Sequence, residues 1–208
     1  MILIGQYDSP FVRRVGIALT LYGLGFAHRP WSVFGDADLI RAQNPLTRVP
    51  VLVLEGGESL IDSAMILDHI DSLVPEAAAL FPRTEPARRR ALRIAALACG
   101  LGDKAVSLFY EMRLHGQPSA VFVARCQAQI AGTLAVLEAD LQAQGADYWR
   151  GDAPGHADIA VACVWRFARE AHSSLIDPAA CPAVASLSAR LEATPAFRAI
   201  SQPVIAPT

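Results

Sequence analysis

The chain has 208 residues, of which 53% are hydrophobic and 18% charged, so it is long enough to bury a core and too apolar to be a disordered chain. Its 18 basic and 20 acidic residues give a formal net charge of -2, without the global positive field that favours nucleic acid or an anionic membrane. We see no bilayer-spanning apolar run and no signal peptide, and therefore expect a cytoplasmic protein with no nucleic-acid or membrane partner. The four cysteines and five histidines lack metal-ligand spacing, so we predict no metal site.

The first third of the chain has the pattern of a small sheet with helices. An apolar run that ends at Gly5 predicts a buried strand, and Pro10 is well placed as the first residue of a helix. Pro30 confines the second strand to a sheet edge. The predicted elements are strand 2–4, helix 10–22, strand 26–33, helix 36–43, a hairpin of strands 49–54 and 59–61, and a helix that begins at Ser63.

The pattern changes at about residue 75, where a proline-containing linker leads into a region that is helical almost throughout. The segment 157–171 is apolar on all sides and should be the buried centre of this region. The predicted helices are 87–115, 119–144, 157–171 and 182–192. We therefore predict an α/β domain over residues 1–76, a linker over 77–86 and an all-helical domain over 87–208.

Three short segments of the first domain could contact a ligand. Ser9 precedes the first helix, whose N-terminus stabilises an anion. If the Val49-Pro50 bond is cis, the Val49 backbone is turned outward and could pair with an extended peptide. Asp62 and Ser63 open the third helix and could take a ligand ammonium and carboxylate. Helix capping or strand initiation also explains each segment on its own.

Together, in this order and on these elements, the three segments resemble those of cytosolic glutathione transferases, and the resemblance covers the whole chain. The run 9–15, Ser-Pro-Phe-Val-Arg-Arg-Val, is similar to the serine-type members. Segments 102–106 and 195–198 also resemble bacterial members. The resemblance implies a thioredoxin-like domain followed by a helical bundle, a cis Val-Pro bond, and an Asp-Ser pair that holds the γ-glutamyl end of glutathione. One departure is Gly155, which replaces the hydroxylated cap that usually precedes the central helix.

The resemblance implies that glutathione, as co-substrate, is conjugated to a small electrophile. A free thiol has a pKa of about 8.5, so a hydrogen bond from Ser9 and the helix N-terminus would be needed to favour the thiolate. Tyr7 is an alternative hydroxyl donor, although its place at the strand end favours a packing role. Arg13, one turn into the helix, would either add positive potential or face solvent.

The electrophile should bind between the domains, against residues 8–11 and the long helix over 102–113. The remaining substrate contacts are predicted at Arg48, Val49, Pro50, Asp62, Ser63, Phe11, Asp103, Phe109, Tyr110 and Arg113. A glutathione-dependent isomerase is one alternative function, and a non-catalytic binding protein of the same fold is another.

We expect a homodimer in which Asp103 approaches the glutathione site of the partner subunit. The helix from Ala87 and the third helix carry more apolar surface than the single narrow stripe that each would need to pack on its own domain. The residues on which this expectation rests are Leu92, Ala95, Ala96, Cys99, Val106 and Phe109 on the long helix, and Ile66, Ile70 and Leu73 on the third. The alternative is that they all fill the monomer core.

Overall fold

The computed structural model describes residues 1–206 and confirms the predicted fold class, a thioredoxin-like α/β domain followed by a helical domain. The helices and strands are β1 Ile2–Ile4, α1 Pro10–Leu21, β2 Ala27–Arg29, α2 Ala37–Arg41, β3 Val51–Val53, β4 Ser59–Ile61, α3 Ser63–Ser72, α4 Ala87–Leu114, α5 Ala120–Gln144, α6 His156–Ala171, α7 Pro182–Glu192 and α8 Pro195–Ala199. The five-residue helix α8 was not predicted, and β2 is shorter than predicted because it ends where Pro30 removes a backbone donor. The domain limits at residues 76 and 87 stay a prediction.

The sheet has four short strands in the order β2-β1-β3-β4. β1 pairs parallel with β2 and antiparallel with β3, which in turn pairs antiparallel with β4. The apolar side chains of α1 and α3, including Val12 and Ile66, pack with Leu3 and Leu52 in the main core. A smaller cluster around Ile40 of α2 lies on strands β1 and β3. The sheet therefore holds the start of α1 and the start of α3 in fixed positions.

Helix α6 is the centre of the helical domain, as its apolar sequence predicts. Twelve of its 16 residues are buried, and it packs against α4, α7 and α1. The contact with α1 means that the first domain rests directly on this helix. Burial of a helix on all sides is the arrangement expected for a segment that lacks a polar face.

The start of α6 explains why glycine stands at its N-cap. The Gly155 N–H donates to the Asp158 carboxylate at 2.8 Å, and the same carboxylate accepts from the Trp149 N–H at 2.9 Å. A Cβ at Gly155 would lie 2.6 Å from the backbone oxygen of Leu80. The hydroxylated cap is absent because the chain that joins the two domains passes too close for any side chain.

We predict that Gly155→Ser destabilises the protein, although serine is the better N-cap in an open site. The clash with a backbone oxygen should cost about 1–3 kcal/mol in the free energy of unfolding. Gly25→Ser is the matched control, because no atom lies within 4 Å of a Cβ built there. Urea unfolding measures both variants; a Gly155→Ser protein as stable as the wild type would refute the steric explanation.

A buried polar cluster joins the two domains near the same point. The carboxylate of Asp71, at the end of α3, accepts hydrogen bonds from Tyr22 Oη, from His156 Nε2 at 2.7 Å and from the Phe81 N–H at 3.1 Å. The Tyr22 oxygen accepts from the Leu80 N–H at 2.7 Å. His156, expected on the surface or along a helix, opens α6 and is only 1% exposed. The cluster thus connects α1, α3, the linker and α6.

The protonation states within this cluster follow from burial and hydrogen bonding. Burial lowers the pKa of His156, so the imidazole is neutral at neutral pH. Burial opposes ionisation of Asp71, but hydrogen bonds from His156, Tyr22 and Phe81 outweigh it and lower the pKa of that carboxyl. Within the described residues the His156 Nδ1 has no partner, as suits a neutral ring whose Nε2 carries the proton.

Arg13 connects α1 to the end of the chain. Its guanidinium pairs with both carboxylate oxygens of Glu192, at 2.5 and 2.7 Å, and donates to the backbone oxygens of Ile200 at 2.8 Å and Phe197 at 3.1 Å. The side chain is buried. Both expectations for Arg13, free positive potential or a position in solvent, are therefore wrong, because its charge is neutralised inside the protein.

Helix α5 corrects the expectation that no apolar segment is long enough to span a bilayer. Among residues 1–206 it is the one helix that meets the length and composition expected of a membrane span. Its few charged residues are widely spaced, so a search for an uninterrupted apolar run overlooks it. Only 22% of its most apolar window is buried; the helix packs on α4 and α7 and leaves Val121 and Val136 exposed.

Candidate active site

Ser9 is the N-cap of α1, as predicted. Its backbone is extended, Pro10 follows as the first helical residue, and its Oγ accepts a long hydrogen bond of 3.4 Å from the Val12 N–H. The side chain is half-buried. Since the oxygen is used as an acceptor, the hydroxyl proton is available to donate to a ligand. The positive end of the helix dipole lies at the same place, so the hydroxyl donor and the dipole together stabilise an anion here.

The Val49-Pro50 peptide bond lies beside the first turn of α1. This bond is cis, and the Val49 backbone forms no hydrogen bond with another described residue. Gly5, with a φ of +123°, lets the segments meet, because a Cβ there would lie 2.5 Å from the Val12 side chain and 2.8 Å from that of Val49. The structure therefore brings Val49 next to the helix that Ser9 caps.

Asp62 and Ser63 open helix α3 as predicted. The Asp62 carboxylate caps the helix by accepting from the Ala64 N–H at 3.0 Å, and it also accepts from the Ser63 hydroxyl at 3.3 Å. Asp62 is exposed, whereas Ser63 is buried. The pair therefore presents a negative carboxylate at the surface next to the N–H groups of a helix start, which suits a ligand that carries both charges.

Helix α1 also carries a buried arginine that sequence analysis overlooked. Arg14 is 2% exposed; its Nη1 donates to Cys99 Sγ at 3.0 Å, and its Nε has no partner among the described residues. Burial raises the pKa of the Cys99 thiol. The positive charge of Arg14 lowers this pKa, and the negative charges of Asp62 and Asp103 raise it further. The hydrogen bond brings Arg14 and Cys99 into direct contact. The apolar residues on both sides of the Arg13-Arg14 pair were the signal that these side chains are buried.

Arg48 and Asp103 face each other across the two domains. The Arg48 guanidinium lies 3.3 Å from the Asp103 carboxylate, and both side chains are at least half exposed, at 60% and 50%. An ion pair this exposed contributes little to stability. Asp103, expected near the partner subunit, is thus paired within its own chain at the rim of the candidate site.

The predicted electrophile contacts at helix α4 fall into two groups. The Phe11 ring packs against α4, where a Cβ at Gly102 would lie 3.2 Å from it. The Tyr110 ring meets Phe34 edge to face, with centroids 5.3 Å apart, and Phe34 is itself exposed. Phe34 was not predicted, because the sequence gives no sign that the segment after β2 folds back towards α4.

Phe109 and Arg113, further along α4, differ from Phe11 and Tyr110 in their contacts. Phe109 is 5% exposed and packs against Phe167 and His172, so it belongs to the core and offers no surface to a ligand. The exposed Arg113 places its guanidinium 5.6 Å from the centre of the Phe109 ring. These two residues are therefore not brought together with Ser9 in the way that Phe11 is.

Tyr7 has the packing role that its sequence position favours. Its ring stacks on His28 with centroids 3.8 Å apart, and its backbone N–H donates to Gln202 Oε1 at 3.1 Å. Burial raises the pKa of the phenol, so Tyr7 is a poor source of charge. The C-terminal segment reaches the site here, since the Ile205 N–H donates to the Asp8 carboxylate at 3.2 Å.

Within residues 1–206 no cluster of three or more histidine, cysteine, aspartate or glutamate side chains is placed to hold a metal ion, and the four cysteines are free. The functional groups of the site are therefore a helix-capping hydroxyl, an unpaired stretch of backbone, an Asp-Ser pair, and the aromatic and carboxylate groups around Asp8 and Tyr110. Such a set can bind a peptide-like ligand and stabilise a negative charge at its centre.

Comparison with known proteins identifies relatives along the whole chain. The family described as "Glutathione S-transferase, N-terminal domain" matches residues 3–78, and that described as "Glutathione S-transferase, C-terminal domain" matches residues 120–190. The chain is 36% identical over 164 residues to the uncharacterized GST-like protein YibF of Escherichia coli (strain K12), covering 78% of this chain and 79% of that one.

Two further similarities concern activity and structure. Maleylacetoacetate isomerase of Pseudomonas aeruginosa is 30% identical over 167 residues, which cover 76% of this chain and 77% of the isomerase. The crystal structure of a glutathione transferase family member from Pseudomonas fluorescens Pf-5 with bound glutathione is 28% identical, with a TM-score of 0.84, and the match covers 98% of this chain and 99% of that one.

Proposed function

Since the chain belongs to the glutathione S-transferase family, we propose that it is a glutathione transferase, which conjugates the thiolate of glutathione to a small electrophile. The observation that supports this most strongly is the local structure of three segments: Ser9 is the N-cap of α1, the Val49 backbone lies beside that helix, and Asp62-Ser63 opens α3. A binding protein without catalysis would not need the Ser9 hydroxyl at the sulfur. The four free cysteines suit a cytoplasmic, reducing compartment.

In the proposed complex, the thiol of glutathione lies at Ser9. The serine hydroxyl donates to the sulfur while Oγ accepts from the Val12 N–H, and the α1 dipole adds positive potential. Lowering the thiol pKa by one unit requires about 1.4 kcal/mol, which is within the contribution of one hydrogen bond to a charged group. Ser9 therefore stabilises the nucleophile, and the sulfur itself attacks the electrophile.

The remaining contacts of glutathione follow its chemistry. The Val49 N–H and C=O would pair with the cysteinyl backbone, as expected for a free strand end next to an extended peptide. The Asp62 carboxylate would take the γ-glutamyl ammonium, and the Ser63 hydroxyl with the α3 N-terminus would take its carboxylate. Arg48 and Pro50 border these groups. Phe11 and Tyr110 remain proposed contacts of the electrophile, whereas the burial of Phe109 argues against a direct contact there.

We predict that Asp62→Asn and Ser63→Ala each weaken glutathione binding by about 10- to 100-fold, since a hydrogen bond to a charged group contributes about 1.5–3 kcal/mol. Turnover at saturating glutathione should change less, because these residues lie far from the sulfur. Calorimetric titration measures affinity, and Ser72→Ala at the exposed end of α3 is the control. Unaltered affinity in both site variants would remove this pair from the proposed site.

A glutathione-dependent isomerase is the second candidate, and the specific observation in its favour is the 30% identity to maleylacetoacetate isomerase. Both reactions begin with the same thiolate. They differ in that the isomerase adds glutathione to a double bond and releases it again, so glutathione is not consumed. Assays of conjugate formation and of cis-trans conversion of a maleyl acid, each with glutathione in excess, would separate the two candidates.

We also propose that the protein is a homodimer, and the structure modifies the apolar surface on which that prediction rests. Ile66, Ile70, Ala95 and Phe109 are buried in the monomer core, so they cannot support it. Leu73, Leu92 and Ala96, on which the prediction also rests, are exposed. Further exposed apolar area lies on α4 and α5, which border a shallow groove of about 380 Å³. The groove is lined largely by small residues, namely Ala96, Leu97, Gly100, Lys104, Ala128, Gln129, Gly132 and Thr133. Small side chains on an exposed apolar helix allow a second helix pair to approach closely.

Light scattering tests the dimer directly. We expect a mass near twice 22.2 kDa for the wild type, and a monomer for Ala128→Arg, which places a charge in the groove. Ala143→Arg near the exposed end of α5 is the matched control and should remain dimeric. A wild-type mass of 22.2 kDa with full activity would exclude the dimer. The approach of Asp103 to the partner's glutathione site stays a prediction.

A further inference from the structure

We infer that Gln202, in the C-terminal tail over residues 201–205, is a positioning residue for the thiolate site, because its side-chain amide holds the loop that carries Ser9. This inference rests on the proposed function, to which it adds a residue 195 positions away from Tyr7 in sequence. Gln202 contacts the Tyr7 backbone, so its effect on the sulfur is exerted through the loop. The supporting contacts are the hydrogen bonds of the tail to that loop and to helix α6.

The loop that carries Ser9 is a tight turn between β1 and α1. The Ser9 N–H donates to the Gln6 oxygen at 3.2 Å and closes the turn, so Tyr7 and Asp8 are its two central residues. A turn closed in this way leaves the N–H of its first central residue without an acceptor inside the turn. Here the Tyr7 N–H donates to Gln202 Oε1 at 3.1 Å. The tail therefore supplies the acceptor that the turn lacks.

A second bond from the tail reaches the other central residue of the turn. The Ile205 N–H donates to Asp8 Oδ2 at 3.2 Å, so adjacent residues of the turn are held by one segment of chain. Ser9 follows directly. A hydrogen bond from its hydroxyl to the sulfur weakens steeply when distance or angle changes, so a shift of the turn would reduce the stabilisation of the thiolate.

The tail is itself anchored on helix α6. Arg166 Nη1 donates to Ser201 Oγ at 2.7 Å, and its Nη2 donates to the Gln202 backbone oxygen at 3.3 Å. Glu170, one turn later, accepts from Arg166 Nε at 2.7 Å and from the Val204 N–H at 2.9 Å. Chain ends are poorly ordered unless they are tied down. These bonds tie the tail down, so the Gln202 amide holds the turn from a fixed base.

Helix α1 leaves room for this arrangement at Gly16. A Cβ there would lie 2.9 Å from the Ile200 side chain and 3.2 Å from the Tyr7 ring. The residue that precedes the tail and the turn that precedes Ser9 therefore meet at the same point of α1. A larger residue at Gly16 would push one of them away from the helix.

Gln202→Met tests the inference, because methionine has nearly the same length but lacks the amide oxygen and accepts hydrogen bonds only weakly. We expect the pKa of the bound glutathione thiol to rise by about half a unit, which is part of the contribution of one hydrogen bond to a charged group. Ultraviolet titration of the bound thiolate measures this shift.

The pH profile separates positioning from a loss of folded protein. With chlorodinitrobenzene as the electrophile and glutathione saturating, kcat/KM of Gln202→Met should be about threefold below the wild type at neutral pH, as half a pKa unit implies. The two rates should converge above the thiol pKa, where glutathione is ionised in both proteins. A smaller folded fraction would instead lower the rate by one factor at every pH.

Ile205→Ala is the matched control on the same tail. It removes an exposed side chain and keeps the backbone N–H that Asp8 accepts, so the thiol pKa should stay at the wild-type value. The charged groups around the tail, Arg166 and Glu170, are unchanged in both variants. A difference between the variants therefore reports the Gln202 amide and not a change of charge near the sulfur.

Hydrogen exchange at the amides of residues 7–9 gives a readout that does not depend on glutathione. We expect faster exchange in Gln202→Met and wild-type exchange in Ile205→Ala, since a lost hydrogen bond lets the turn open. An unchanged thiol pKa in Gln202→Met would overturn the inference, whatever the exchange rates. A wild type that binds no glutathione would overturn the proposed function instead, and the exchange rates alone would then decide whether Gln202 holds the turn.

Discussion

Replacing Ser9 by alanine should raise the pKa of the bound glutathione thiol by about one to two units and lower turnover about 10- to 100-fold at neutral pH. The reason is the loss of one hydrogen bond to a charged sulfur, worth about 1.5–3 kcal/mol. The same change removes an N-cap acceptor, because Ser9 Oγ binds the Val12 N–H, and this should cost about 1 kcal/mol in the free energy of unfolding. Ultraviolet titration of the bound thiolate and steady-state rates measure the first effect, and urea unfolding measures the second.

Two control variants accompany this experiment. Tyr7→Phe removes the competing hydroxyl without disturbing the ring that stacks on His28, and we expect a normal thiolate pKa and turnover. Ser173→Ala, at an exposed position beyond α6, should have no effect on either quantity. Normal turnover in Ser9→Ala combined with a loss in Tyr7→Phe would transfer the thiolate contact to Tyr7.

The largest expected effect on stability is that of Asp71→Asn. This carboxylate accepts from Tyr22, His156 and the Phe81 N–H, and an amide of the same shape cannot accept from all three donors. Leaving a buried donor unsatisfied and removing the charge should together cost about 3–5 kcal/mol in the free energy of unfolding. Urea or thermal unfolding gives the value, and circular dichroism verifies that the variant is folded at low denaturant.

Asp68→Asn is the matched control for this prediction. Asp68 lies on the same helix, is exposed, and approaches Arg88 only at 3.5 Å, so its loss should cost less than about 1 kcal/mol. Equal and small losses in both variants would mean that the buried cluster contributes nothing beyond surface electrostatics. If Asp71→Asn does not fold, His156→Gln, which keeps the carboxylate, supplies the comparison and should still lose more than the control.

Local sequence signals predicted much of the fold because they act over a few residues. A helix was predicted over residues 119–144, and in the structure Ser119 is the N-cap of α5, where its hydroxyl accepts from the Phe122 N–H at 3.4 Å. Pro10 was predicted to start α1, and it does. Hydrophobic periodicity placed α3 and α6 because one helix has a buried stripe and the other is buried all round. Each of these features is determined within one or two turns of chain.

The features that escaped prediction depend on partners far away in sequence. His156 binds Asp71 across 85 positions, and Arg13 binds Ile200 across 187; no periodicity encodes such a pairing. From the sequence alone, an arginine next to Val12 in a helix is as compatible with a position in solvent as with a buried one. The short α8 was overlooked for the same reason, since five residues become helical only when the end of the chain packs against α1 and α7.

The candidate site was predictable to the extent that it is built from helix starts and a proline. Ser9 and Asp62 are capping residues by type and position, and the structure places both at helix N-termini. The electrophile side was not predictable, because it is assembled from the segment after β2, the middle of α4 and the tail. Phe34 reaches Tyr110 and Ile205 reaches Asp8 only through tertiary folding, so neither could be recognised from its neighbours in sequence.

The bonds from Arg13 to the end of the chain have a consequence for synthesis. A chain made from its N-terminus presents α1 first, yet Glu192, Phe197 and Ile200, which hold the Arg13 guanidinium, follow Arg13 by 179 to 187 positions and are added much later. Until they arrive, an unpaired charge on the inner face of α1 opposes close packing of that helix. The first domain alone therefore lacks the partners that neutralise Arg13, so α1 can pack closely only after the helical domain has been synthesised as far as Ile200.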